Sequence, residues 1–152
     1  MERLKKSEIV VLRWGHRFRD QRVTTHVALV ARAFGASKFV LSDVEDQAIK
    51  TTVEKIVSNW GGRFPFEMGK PWKQTVKEWR SRGGLVVHLT VYGENIETSD
   101  VMERISSSSK NILVIVGSQK VPKDFFSPDI SDFNLAIGNQ PHSEVSSLAI
   151  FL

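Results

Sequence analysis

The sequence of 152 residues has no cysteine, only one tyrosine and no long apolar run. The lack of cysteine excludes disulfides, thiolate metal sites and thiol catalysis, and it makes a reducing cytoplasm the expected location. Because the apolar runs are too short to cross a bilayer, we expect no membrane partner. The four histidines have no spacing typical of a zinc site, so we also expect no metal.

Two common nucleotide-binding fingerprints are missing as well. The first apolar segment, residues 9–12, leads into Trp14-Gly15-His16-Arg17 and not into a Gly-x-Gly-x-x-Gly loop. The chain contains neither a Walker A sequence nor a Gly-x-Ser-x-Gly sequence. A small α/β phosphatase or hydrolase therefore lacks support, because the sequence offers neither a cysteine nucleophile nor a nucleophile elbow.

Positive charge is concentrated in one segment of the chain. The formal net charge is +4, and residues 13–32 contain only one acidic side chain, Asp20. The same segment holds five arginines: Arg13, Arg17, Arg19, Arg22 and Arg32. Clustered arginine is typical of phosphate contacts, so this segment indicates a nucleic-acid partner.

Strand and helix patterns alternate along the sequence. We predict strands at residues 9–12, 38–41, 64–67, 85–89, 112–116 and 133–137, and helices at 25–33, 45–59, 72–79, 99–105 and from 143 to the end. Thr24 or Thr25 is the expected cap of the first helix and Asp43 that of the second. The alternation predicts one α/β domain over residues 1–152, with a mainly parallel sheet and helices on both faces.

Three strand-to-loop junctions that contain glycine lie in the second half of the chain. Such loops at the carboxyl ends of parallel strands bind nucleotide-like ligands, because free backbone N–H groups gather there. We predict one composite pocket with these ligand-binding residues: Leu89, Thr90, Tyr92, Gly93, Val116, Gly117, Ile137, Gly138, Gln140 and Ser143. Each glycine is also compatible with a plain turn, and Ser143 with a helix cap alone.

Four sequence blocks around these features resemble the SPOUT methyltransferases. The blocks are LRWGHRFRDQRVTTHVALVARAFGA (12–36), HLTVYG (88–93), VIVGSQKVP (114–122) and NLAIGNQPHSEVSSLAIFL (134–152). Within that superfamily they are most similar to the archaeal family that methylates the ribose 2′-oxygen of the T-loop cytidine at tRNA position fifty-six. The chain departs from the family pattern at Gln119, where a glutamate is more usual, and it ends a few residues earlier than the pattern does.

The resemblance implies a fold, a cofactor and partners. The fold is SPOUT-type with a C-terminal trefoil knot, the cofactor S-adenosylmethionine, the substrate tRNA, and the assembly a homodimer. It also implies that an arginine of the first block acts on the target ribose or its phosphate; we expect Arg22, and next Arg19, to stabilise charge on the 2′-oxygen. Together with Arg13 and Arg17 they form the expected RNA-binding set, and His26 and His142 are candidate general bases.

The end of the chain is strongly apolar. We expect Leu148, Ile150, Phe151 and Leu152 to form an exposed patch, which a second copy of the chain would cover. Two other functions stay open on the sequence alone: another RNA 2′-O-ribose methyltransferase of the same fold, or an RNA- or nucleotide-binding module without catalysis. Binding of S-adenosylhomocysteine separates these classes, because a pure RNA-binding module should ignore it.

Overall fold

Six parallel strands form one sheet in the computed structural model, which describes residues 7–152. The strands are β1 (Ile9–Trp14), β2 (Lys38–Leu41), β3 (Phe66–Met68), β4 (Leu85–Asn95), β5 (Ile112–Gly117) and β6 (Phe133–Ala136), in the spatial order β3-β2-β1-β5-β4-β6. The predicted parallel α/β sheet is therefore confirmed. The predicted domain also includes residues 1–6, which lie outside the described residues.

Helices cover both faces of the sheet, as predicted. They are α1 (Gln21–Ala33), α2 (Gln47–Trp60), α3 (Trp72–Ser81), α4 (Val101–Ser107) and α5 (Glu144–Phe151). Successive residues of a strand point to opposite faces, so Val11 of β1 joins the core under α1, α2, α4 and α5, while Val10 and Leu12 join the core under α3. The strands are thus buried on both sides, which explains their nearly continuous apolar sequences.

The start of α1 corrects the sequence prediction. The helix begins at Gln21, four residues before the predicted start, and its cap position is Asp20 and not Thr24 or Thr25. A short 3-10 turn, Phe18–Asp20, precedes the helix, and Arg17 binds the Asp20 carboxylate from both its backbone N–H and its guanidinium. Arg22 therefore lies inside the first turn of α1 and not before the helix.

The cap of α2 is a second correction. Asp46, and not Asp43, occupies the cap position, and its carboxylate accepts a hydrogen bond from the backbone N–H of Ile49. Asp43 instead lies in the left-handed backbone region with φ of 70°. Its carboxylate accepts from the backbone N–H of Trp72 at the start of α3. The Asp43 side chain thus serves a different helix from the one predicted.

Strand β4 is longer than predicted and is irregular where a loop was expected. It continues to Asn95, and its pairing with β6 shifts register because both Leu89 and Glu94 lie opposite Leu135. The intervening residues 90–93 therefore bulge out of the ladder. A bulge of this kind redirects side chains at the rim of a sheet. The first predicted ligand loop is thus a bulged strand segment.

The C-terminal helix agrees with the prediction in position but not in exposure. Ser143 caps α5 by accepting from the backbone N–H of Val145, as predicted. Leu148 is fully buried and Phe151 is 7% exposed, so both belong to the core of this chain. The expected apolar patch is therefore wrong for these two residues. Of the other two patch residues, Leu152 is half-buried, and Ile150, which is 59% exposed, is the one more available to a partner. The trefoil knot stays a prediction that the resemblance implies.

Candidate functional site

The three predicted segments meet at one edge of the sheet. Strands β5, β4 and β6 are consecutive neighbours and parallel, so their carboxyl ends lie side by side. The bulge of β4, the loop after β5 and the loop after β6 together enclose a cavity of about 730 Å³. Ligand pockets typically have volumes of roughly 300–1,000 Å³. The arrangement suits a small organic ligand that is held mainly by backbone groups.

Most of the predicted ligand-binding residues line this cavity. They are Leu89, Thr90, Tyr92, Val116, Gly117, Ile137, Gly138 and Gln140. Two predicted residues do not line it. Gly93 instead lies where β4 and β6 approach closely, since a Cβ atom there would lie 2.5 Å from the backbone of Asn134. Ser143 is occupied as the cap of α5.

Several lining residues were not predicted from the sequence. Lys123 and Phe126 come from a 3-10 turn, Lys123–Phe126, that follows the β5 loop and that the sequence pattern did not reveal. Glu144 and Ser147 come from α5, and their spacing of three places them on the same side of the helix. That spacing, directly after a capped helix start, is the signal that could have identified them.

His88 is a neutral, buried wall of the cavity. It is 1% exposed, and its Nδ1 lies 3.0 Å from the Oδ1 atom of Asn134, to which it donates. The rings of Phe125 and Phe126 meet it edge to face at 5.5 and 5.2 Å. Burial lowers the pKa of His88, which the hydrogen bond to Asn134 only partly opposes. The aromatic surroundings therefore keep this imidazole uncharged at neutral pH.

His142 closes the loop that follows β6. Its Nε2 contacts the carbonyl oxygen of Ile137, while Nδ1 lies 3.1 Å from the carbonyl oxygen of Ser143 and 3.0 Å from Oγ of Ser146. The carbonyl of Ile137 and then that of Ser143 raise the pKa of His142, because an imidazolium can donate to both. Both ring nitrogens are engaged by carbonyl groups that favour the protonated ring, so in this arrangement His142 holds the loop and offers no free lone pair to a substrate proton. His26, the other candidate base, is exposed on α1.

Arg13 does not occupy the position predicted for an RNA contact. Its side chain is 0% exposed and donates to Thr24, to the carbonyl of Gly117 and to Glu144. Burial lowers the pKa of the Arg13 guanidinium, and the neighbouring carboxylate of Glu144 opposes that shift. Because all three contacts are inside the protein, Arg13 is not available to a phosphate, and the prediction for this residue is corrected.

The other arginines lie on or near the surface. Arg17 forms an ion pair of 2.8 Å with Asp20, and its Nη2 lies 3.4 Å from the carbonyl of Ser118. Arg19 and Arg22 are exposed. Within residues 7–152, neither of these two lines the cavity described above; Arg22 instead borders a shallow groove between α1 and α2.

Metal ligands and membrane spans were also sought in the described part of the chain. Among residues 7–152, no three histidine, aspartate or glutamate side chains come close enough together to hold a metal ion. No helix in the same range combines the length and the apolar character that a bilayer crossing needs.

Sequence comparison gives a family match and named relatives. The family model described as "tRNA ribose 2′-O-methyltransferase, aTrm56" matches residues 60–152. The tRNA (cytidine(56)-2′-O)-methyltransferase of Thermococcus kodakarensis is 49% identical over 151 residues, which are 97% of this chain and 81% of the relative. The enzyme of the same name from Thermofilum pendens is 51% identical over 145 residues, 95% of this chain and 78% of the relative.

Solved structures share the architecture. A putative RNA methyltransferase of the TrmH family from Porphyromonas gingivalis superimposes with a TM-score of 0.70 at 14% identity, covering 99% of this chain and 59% of that one. The SpoU methyltransferase AviRb from Streptomyces viridochromogenes, in complex with AdoMet, gives 0.65 at 12% identity, covering 99% and 57%. This chain therefore spans less than two thirds of both. At these identities the likeness concerns the fold, and the SPOUT-type fold class is confirmed.

Proposed function

The chain belongs to the tRNA ribose 2′-O-methyltransferase family aTrm56, and on this premise we propose that it transfers a methyl group from S-adenosylmethionine to the ribose 2′-hydroxyl of cytidine 56 in tRNA. One observation carries the proposal. In a chain about half identical to named enzymes of this specificity, three segments converge on a single cavity at the carboxyl ends of β5, β4 and β6. The reaction takes place in the cytoplasm, where tRNA is processed.

The cavity fits the cofactor. Its walls combine apolar side chains with backbone groups, which suits an adenine ring that needs stacking surface and edge hydrogen bonds. We assign the cofactor to Leu89, Thr90, Tyr92, Val116, Gly117, Ile137, Gly138 and Gln140. When bound, S-adenosylmethionine supplies an electrophilic methyl group on a sulfonium. The residues of this chain position it, and positioning can contribute roughly 7–11 kcal/mol to such a displacement.

Two exposed arginines at the start of α1 form the RNA-binding part of the site: Arg19 in the 3-10 turn before the helix and Arg22 in its first turn. Arg19 and Arg22 are exposed near the N-terminus of α1, where the helix dipole adds to their attraction for an anion. Arg22, with Arg19 as its neighbour, stabilises the negative charge that the 2′-oxygen gains as a base removes its proton, and this oxygen then takes the methyl group as the bond from methyl to sulfur breaks. Arg17 has its carboxylate partner already and contributes less to phosphate binding.

The active unit is a homodimer. Arg22 and the cofactor cavity are separate within one chain, so a reaction that needs both is best served when Arg22 comes from the partner subunit. Helices α1 and α5 pack together and carry exposed apolar side chains, namely Val23 on α1 and Ile150 on α5, with Phe18 just before α1. Such a surface suits a two-fold interface between identical chains.

Methyl transfer to an unmodified tRNA transcript, with mapping of the modified nucleotide, tests the function. The expected product carries one 2′-O-methyl group at cytidine 56. A matched transcript with 2′-deoxycytidine at that position should accept no methyl group. Methylation of a different nucleotide would favour another RNA ribose methyltransferase of the same fold, and failure to bind S-adenosylhomocysteine would favour a binding module without catalysis.

A further inference from the structure

The guanidinium of Arg13 joins three separate parts of the chain. Its Nε lies 3.1 Å from Oγ1 of Thr24 in α1, and its Nη1 lies 3.3 Å from the carbonyl oxygen of Gly117 at the end of β5. Its Nη2 lies 3.0 Å from Oε1 of Glu144 in the first turn of α5. The fixed fork of an arginine can serve three acceptors at once, which a lysine ammonium on a flexible stem cannot do in the same geometry.

Two of these three partners belong to the wall of the cofactor cavity. Gly117 and Glu144 both line it, although Arg13 itself does not. Gly117 ends β5, whereas Glu144 begins α5 after the loop that follows β6, and the two are far apart in sequence. A single buried side chain therefore fixes the distance between two of the three cavity segments. The Glu144 side chain is 34% exposed, so it also reaches solvent on the cavity side.

The third partner extends the contact away from the cavity. Because Thr24 Oγ1 accepts from Arg13, its hydroxyl proton is free to point to Nδ1 of His16 at 2.8 Å. Nε2 of the same ring lies 2.9 Å from a carboxylate oxygen of Asp46, the cap of α2. A chain of hydrogen bonds therefore connects Arg13 to Asp46 through Thr24 and His16. It fixes α1, the helix of Arg22, relative to the cavity.

We infer that Arg13 is a positioning residue that holds the loop after β5 and the first turn of α5 at the spacing that S-adenosylmethionine requires. The inference rests on the proposed function, because it takes that cofactor as the occupant of the cavity. Arg13 touches neither the cofactor nor the RNA. Its effect is exerted through the carbonyl of Gly117 and the carboxylate of Glu144, and it sets cofactor affinity more than tRNA affinity.

The test compares binding of S-adenosylhomocysteine to the wild type, Arg13→Lys and Arg32→Lys by calorimetry. Arg32 on α1 is the control, because it also donates to a glycine carbonyl, that of Gly61, but away from the cavity. We expect Arg13→Lys to raise the dissociation constant at least tenfold and the KM for S-adenosylmethionine similarly. The KM for tRNA should change less than twofold, and Arg32→Lys should match the wild type.

A second variant, Glu144→Gln, tests the same contact from its other side if Arg13→Lys fails to fold. If Arg13 acts through Glu144, the double variant Arg13→Lys/Glu144→Gln should bind no more weakly than the weaker single variant, because the two changes break one contact. Multiplicative losses would overturn the shared role. Undiminished affinity in Arg13→Lys, or a higher KM for tRNA with a flatter salt dependence, would overturn the inference. If the wild type itself fails to bind, the cofactor assignment and with it the proposed function are overturned.

Discussion

The side-chain amide of Gln119 donates a hydrogen bond of 2.9 Å to the carbonyl oxygen of Gly15. The bond ties the loop after β5 to the loop after β1, and it comes from a residue that also lines the cofactor cavity. Gly15 has φ of +80°, and a Cβ atom there would lie 3.0 Å from Cγ of Gln119, so the two residues are in close contact. A glutamate, which the family resemblance leads us to expect at this position, has no N–H to donate to a carbonyl.

The first prediction follows from this bond. Gln119→Glu replaces a donor by a carboxylate of the same shape and places negative charge beside the Gly15 carbonyl. Loss of one such hydrogen bond corresponds to roughly a twofold to tenfold loss of affinity if the β5 loop loosens. We expect calorimetry to show that loss for S-adenosylhomocysteine. Gln119→Met removes the donor without adding charge, so it separates the loss of the hydrogen bond from the effect of the charge. Wild-type affinity in both variants would show that the bond does not shape the cavity.

Gly93 should tolerate no side chain. A Cβ atom at this position would lie 2.5 Å from backbone atoms of Asn134 and Leu135, and backbone cannot move aside cheaply. We expect Gly93→Ala to separate the β4 bulge from β6, to lower the thermal midpoint and to weaken S-adenosylhomocysteine binding at least tenfold. Gly83→Asn is the matched control, because Gly83 does not line the cavity, no described atom lies within 4 Å of a Cβ there, and asparagine accepts its φ of +80°. Equal binding by Gly93→Ala and the wild type would contradict this account of β4.

Because His88 is buried, the free energy of unfolding should depend on pH. Burial lowers its pKa in the folded state below the ordinary 6.5, so the unfolded chain takes up the proton first as the pH falls. The neutral form thus contributes stability that is present above pH 6.5 and is lost as the pH falls through the lowered folded pKa. We expect His88→Gln, which can still donate to Asn134, to flatten the urea-unfolding free energy across this window. If the unfolding free energy of His88→Gln changes with pH as steeply as that of the wild type, other groups control the loss of stability in acid.

The sequence predicted the glycine-bearing segments well for a local reason. A buried apolar run that ends in glycine marks a strand end, and the parallel alternation places all such ends at one edge. That β5, β4 and β6 are neighbours was not readable from spacing, because strand order is set by long-range packing. The resemblance to a family supplied the identity of the ligand.

Arg13 and Leu148 show where the sequence misled. A single arginine in a basic segment looks like a surface charge, but its partner Glu144 is 131 residues away in sequence and no local pattern connects them. Leu148 belongs to a helix whose apolar residues are not confined to one face, so its sequence does not distinguish the core face from an interface. The start of α1 was missed for another reason: residues 19–22 are all polar, so the apolar pattern that indicates a helix begins only after them.

A residue that tests the proposed dimer interface must be exposed in the single chain, as Ile150 is and Leu148 is not. Ile150→Asp places a charge on an exposed position of α5, so the monomer should fold normally while dimerisation and methyl transfer are lost together. Leu148→Asp is the contrasting change, because it buries a charge in the core and should unfold the chain. Light scattering and circular dichroism separate these outcomes. A fully active Ile150→Asp variant with the mass of a dimer would place the interface elsewhere.

Mixed dimers test whether Arg22 acts on the partner's cofactor site. Arg22→Ala should abolish transfer but keep affinity for S-adenosylhomocysteine, whereas Gly117→Trp should fill the cavity wall and lose that affinity. A dimer of one chain of each kind has one site with both wild-type parts if Arg22 reaches across the interface, and none if it acts within its own chain.

Random exchange of the two inactive variants makes about half of the dimers mixed, each with one of two sites intact. Activity should therefore recover to about a quarter of the wild-type value. Mixing Arg22→Ala with Arg19→Ala is the control. Both changes affect the same arginine pair, so no site of the mixed dimer contains both wild-type arginines. Recovery in the first mixture alone would support the shared site. No recovery, with subunit exchange verified by mass, would show that each chain completes its own site and that Arg22 does not serve the partner.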